Sequence, residues 1–82
     1  MNRPYFIWDY DLTEKRIKEI LRTGNETEKL WLAGRILTNA RFEDVWDYLN
    51  VKEIVELFPK LRLRPDIRQA WKRALNVWGY HV

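Results

Sequence analysis

Beyond residue 12, apolar positions recur three and four apart along almost the whole chain, and strand-like alternation is absent from that stretch. This period belongs to helices with one buried face, so the pattern predicts an all-α protein. Ile17, Ile20 and Leu21 form the first stripe. Thr13 as N-cap would set Leu12 and Ile17 at the ends of a hydrophobic staple, while Asp11 is a rival cap because Glu14 then stands three residues on. Gly24 is expected to stop this helix in a left-handed conformation.

Asn25 follows as a second N-cap with Glu28 three residues on, leading into a helix whose apolar positions are Leu30, Trp31, Ala33, Ile36, Leu37 and Ala40. So wide a band marks the central helix. Gly34 lies inside it, where glycine costs about 1 kcal/mol against alanine, and close approach of another helix or of the N-terminal segment is the expected reason. "FEDVWDYL" predicts a third helix with Phe42, Val45, Trp46 and Leu49 inward and its acids outward. Asn50 opens a fourth: Glu53 completes a capping box, and Leu49 with Ile54 makes a staple. Pro59 closes it. Pro65 suits the first position of a last helix that runs to about Trp78, with Ile67, Ala70, Trp71, Ala74, Leu75 and Trp78 on one face and Gly79 as its stop.

Ahead of the helices stands "YFIWDYDLT", with Tyr5, Phe6, Trp8 and Tyr10 in a segment that has no helical period. Short helices meeting at tight corners leave gaps, and aromatic residues covering one contribute several kcal/mol at about 25 cal/mol per Å². The segment is therefore expected to fold over the bundle as a lid. The functional alternative is an exposed aromatic peptide that docks on a partner. The expected architecture is one domain over residues 1–82: an extended arm, 1–12, packed on a compact bundle of about five short helices, 13–82.

Eighty-two residues give room for a single core, and five tryptophans enlarge it. Cysteine is absent, which excludes disulfides and thiolate metal sites. No leader-like start and no apolar run long enough to span a membrane is visible, so a cytoplasmic protein that does not engage a membrane is expected. A third of the residues are charged and serine is missing, a bias that fits a thermophilic source.

The same inventory argues against an enzyme. Serine and cysteine nucleophiles are lacking, and the single histidine, His81, is next to last, where chain ends fray. Asp9 and Asp11 read D-x-D, and Glu43, Asp44 and Asp47 cluster, but helix capping and a solvated face account for them better than a magnesium site. The glycines are isolated, so no phosphate loop is present. No cofactor or metal is expected.

Charge is unevenly spread. Residues 42–56 carry Glu43, Asp44, Asp47, Glu53 and Glu56 against Lys52, whereas residues 60–73 carry Lys60, Arg62, Arg64, Arg68, Lys72 and Arg73 against Asp66. Arg62, Arg64, Arg68 and Lys72, with Arg73 beside them, are expected to form a basic ridge for an acidic protein or for phosphates. The alternative is that they neutralise the acidic helices internally. A helix-turn-helix over "FEDVWDYLNVKEIVELF" would present Lys52, Glu53 and Glu56 to DNA, an acidic recognition face that phosphates repel. Stacking of RNA bases on Trp78 or Tyr80 competes with a core role for such residues.

"YFIWDYD", "NETEKLWLAGRILTNARFEDVWDYL" and "LFPKLRLRPDIRQAWKRALNVWGY" resemble a family of short all-helical bacterial proteins, a domain of unknown function, over nearly the whole chain. The resemblance implies an antitoxin-like or accessory partner of an abortive-infection-type nucleotidyltransferase toxin and brings no catalytic motif. The expected function is a non-enzymatic helical module that binds another protein, with a DNA-binding regulator using the basic residues as the alternative. The oligomeric state is left open.

Overall fold

The computed structural model describes residues 5–7 and 12–82, and among them every regular element is helical. After a single 3-10 turn at Tyr5–Ile7 come α1 (Glu14–Thr23), α2 (Glu26–Asn39), α3 (Phe42–Val45), α4 (Val51–Leu57) and α5 (Pro65–Val77). A second 3-10 turn, Phe58–Lys60, follows α4 directly and contains Pro59. The radius of gyration is 12.4 Å, against about 12 Å for a compact chain of this length. The all-α bundle of five short helices is thus the observed fold.

The N-termini of α1, α2 and α4 begin where their caps require. Thr13 accepts a hydrogen bond from the Arg16 amide, and Asn25 accepts one from the Glu28 amide. At Asn50 the box is complete: its side chain accepts from the Glu53 amide at 2.8 Å, and its own amide donates to Glu53 at 3.0 Å. Each cap satisfies one of the amides that the first turn leaves without an intrahelical partner. Leu49 and Ile54, the two ends of the expected staple, are both buried.

The two glycine stops differ. Gly79 is left-handed (φ +95°), and the amides of Gly79 and Tyr80 donate to the carbonyls of Asn76 and Leu75. That is a Schellman ending, and it needs the missing Cβ. Gly24, expected to be left-handed as well, is extended (φ −71°, ψ 167°). Its requirement is space: a Cβ there would stand 2.6 Å from the Ile20 carbonyl oxygen, the same oxygen that its amide bonds.

α2 is the hub, touching α1, α3 and the N-terminal turn. Its buried residues are Leu32, Ala33, Ile36 and Leu37. Ala33, Ile36 and Leu37 of the expected band are buried, and Leu30 and Ala40 pack against the core, but Leu32 joins them and Trp31 is left 41% exposed. Gly34 also corrects its expected role. Among the described residues, a Cβ there would meet only Leu63 Cδ2, at an ordinary 3.9 Å, so no close approach explains it.

Of the expected extended arm, residues 5–7 are described, and they form a 3-10 turn packed on the bundle. Phe6 and Ile7 are buried, Phe6 at 2% exposure, with Phe6 edge-on to Tyr48. The Arg35 side chain donates to the Phe6 carbonyl. Tyr5 lies at the surface, and its hydroxyl accepts from the Arg41 amide and donates to Asp44, both at 2.6 Å. Asp44 is accordingly half-buried and not simply outward-facing. Trp8, Asp9, Tyr10 and Asp11 lie outside the described residues, and with them the D-x-D pair and the rival cap of α1.

The C-terminal end is tied down, against the expectation of a frayed tail: Val82 packs on the core, although His81 is exposed. No helix among the described residues is long and apolar enough to cross a membrane.

Candidate interaction surface

The five basic residues singled out in the sequence do not line up as one ridge. Arg68 is half-buried. Its guanidinium donates to the carbonyls of Phe58 and Leu61 and lies 4.7 Å from the Phe58 ring centre. It shares the Phe58 carbonyl with the Leu61 amide and adds a donor to the Leu61 carbonyl, and so has a structural task in the 3-10 turn after α4. Arg64, just before α5, forks onto Asp66 with contacts of 3.2 and 2.8 Å. The Arg64 hydrogen bond holds the Asp66 carboxyl below its ordinary range. Both side chains are well exposed, so the pair contributes little to stability.

Arg62, Lys72 and Arg73 are exposed. Arg62 borders a cleft of about 440 Å³ along α2, next to Leu30, Trp31 and Gly34. Lys72 and Arg73 are adjacent on α5, and helical geometry points them some 100° apart. Among the described residues neither makes an ion pair with the acids of α3 and α4. The basic segment does bridge elsewhere: Lys60 holds Glu26 at 2.5 Å, tying the turn after α4 to the start of α2 and lowering the Glu26 pKa. Glu43, Asp44 and Asp47 do not converge as metal ligands, and no such group occurs among the described residues.

A feature that the charge pattern did not reveal lies where α3 meets α5. Phe42, Trp46, Trp71 and Trp78 form a connected set of rings. Phe42 stacks on Trp71 at 5.6 Å, meets Trp46 edge-on at 5.5 Å and tilts against Trp78 at 5.9 Å. Trp46 reaches both Trp71 and Trp78 edge-on. Such offset and edge contacts suit the ring quadrupoles and fix the cluster's shape.

The cluster has an inner and an outer side. Trp71 is buried, and its indole N–H donates to the Leu37 carbonyl at 3.0 Å, closing the end of α2. Phe42 is 51% exposed and Trp78 40%, with Val77 beside them at 78%. Ala70 is exposed as well, bordering a small hollow with Phe42 and Trp71. Sequence periodicity placed Phe42, Ala70 and Trp78 on inward faces, and geometry shows why they are not fully covered. α3 lasts a single turn, and Ala70 and Val77 on α5 are left exposed beside the cluster. The available signal was the excess of apolar positions on α5 over what one helix face can bury.

Comparison with models of protein families, with curated proteins and with solved structures finds no match for this chain. The functional reading therefore rests on the surface itself.

Proposed function

We propose that this protein is a small non-enzymatic interaction module that binds another protein through the aromatic face formed by Phe42, Trp46 and Trp78. The observation that carries this reading is the preformed ring cluster, rigid on its buried side and exposed at Phe42 and Trp78. Contact residues of this kind concentrate binding energy: aromatic anchors at the centre of an interface dominate its affinity. Rings already locked by their neighbours lose little freedom on binding. A contiguous apolar patch left in water is also a liability, which supports its having a function. That the partner is a toxin-like enzyme rests on the sequence resemblance alone.

A DNA-binding regulator has weaker support. Arg68 and Arg64 are engaged within the fold, and the exposed neighbours Lys72 and Arg73 diverge by some 100° around α5.

A photo-crosslinking amino acid introduced in place of Phe42, in the cells that make the protein, tests the reading. A discrete covalent adduct is expected from position 42, and little from the same probe in place of the exposed Lys15 on α1. Equal or absent yield at the two positions would overturn it.

A further inference from the structure

We infer that the aromatic face pairs with a second copy of this chain about a two-fold axis. This rests on the reading of that face as an interaction surface and names its occupant. The argument is the charge at its two borders. Glu43 on α3 and Asp47 in the turn that follows it are exposed, four residues apart, each next in sequence to a ring of the cluster, Phe42 and Trp46. On α5, Arg73 is exposed in the row Ala70, Arg73, Val77, because residues three and four apart are neighbours on a helix. Phe42 borders the same hollow as Ala70, and Trp46 contacts Trp78, so the rings and small apolar residues lie between these borders.

The face thus carries an acidic edge, an apolar centre and a basic edge. Among the described residues Glu43, Asp47 and Arg73 make no ion pair with one another or with other groups. A surface so arranged is complementary to itself. A two-fold axis lying in the face, between the edges, sets Arg73 of each copy opposite Glu43 and Asp47 of the other, and the two contacts form together. The same operation lays apolar centre on apolar centre, covering Phe42, Val77 and Trp78. A partner of uniform charge would meet an opposing edge on one side or the other, whereas a second copy meets complementary charge on both.

Sedimentation equilibrium of the full chain tests this. The apparent mass is expected to rise with concentration from 10.1 kDa towards twice that value. Arg73→Glu alone, and Glu43→Arg with Asp47→Arg, each set like charges across the contact and should weaken association by about tenfold or more. An equimolar mixture of the two variants should recover it, because each then supplies the charge that the other lacks. All these positions are exposed, and unchanged thermal melting in dilute solution confirms that the variants remain folded. A wild-type chain that stays monomeric at high concentration overturns the inference, as does a mixture that associates no better than its components. A monomeric chain that still gives an adduct with a different protein from position 42 would remove the self-pairing while leaving the interaction surface in place.

Discussion

Two aromatic regions of this small bundle meet opposite fates. At the N-terminal turn, Phe6 is enclosed by the core, and Tyr5 spends its hydroxyl on the start of α3, accepting from Arg41 and donating to Asp44. Where α3 meets α5, the rings stack mainly on one another, and Phe42 and Trp78 keep about half of their surface in water. Both regions are equally aromatic in sequence. The difference lies in what surrounds them: the first is pressed against α2, the hub, while the second has α2 on one side only. Aromatic content measures how much surface a segment can bury; the neighbouring elements decide whether it is buried.

The largest effect expected from this contrast separates two phenylalanines. Phe6→Ala should cost about 3 to 5 kcal/mol in chemical denaturation, through lost burial and the cavity left behind. Phe42→Ala should cost about 1 kcal/mol, the scale of aromatic pairing where the ring is already half wet. Equal costs would erase the distinction. Next in size, Trp71→Phe keeps most of the packing but removes the donor to the buried Leu37 carbonyl, so a loss of about 1 to 3 kcal/mol is expected. A near-neutral result would mean that another donor takes over.

A smaller change, of opposite sign, sharpens the picture at the helix that both regions lean on. Gly34→Ala should raise stability by about 0.5 to 1 kcal/mol, since the new methyl makes only an ordinary contact with Leu63 and alanine is the better helix former. Loss of stability would show that the site is crowded. The smallest effect is a titration. Desolvation pushes the phenol of Tyr5 up, with Asp44 adding to it, and desolvation followed by the Glu14, Asp47 and Asp44 carboxylates pushes up that of Tyr48. Both folded values stand above the unfolded one, so this contribution to stability is full below the ordinary phenol range and is lost as pH rises through the folded values. Ultraviolet titration of Tyr5→Phe and Tyr48→Phe should each remove one late-titrating phenol.

What the sequence made legible was local. Thr13, Asn25 and Asn50 cap because a cap and its amide lie within one turn, and Gly79 ends α5 for a similarly short-range reason. The all-α bundle followed from the spacing of its apolar positions. What escaped depends on distant partners. Trp31 and Leu32 compete for one core position on α2, and only the packing of the other elements decides in favour of leucine. Arg68 looks like a surface cation until the carbonyls of Phe58 and Leu61 are brought to it. The aromatic interaction face was the least legible part, since Phe42 and Trp78 fit a helical period as well as any buried residue. Their exposure follows from the shortness of α3.

The indole of Trp71 on the Leu37 carbonyl has a consequence for how the chain is made. During synthesis α2 emerges well before residue 71, so its terminal carbonyl waits for a donor encoded 34 positions later. The carbonyl of Leu61 waits likewise for Arg68. A nascent chain halted before α5 therefore holds helices whose ends remain open to water. Closure of both comes only when the last helix docks, and in the finished protein the two ends should loosen together in hydrogen exchange, as one unit released with α5.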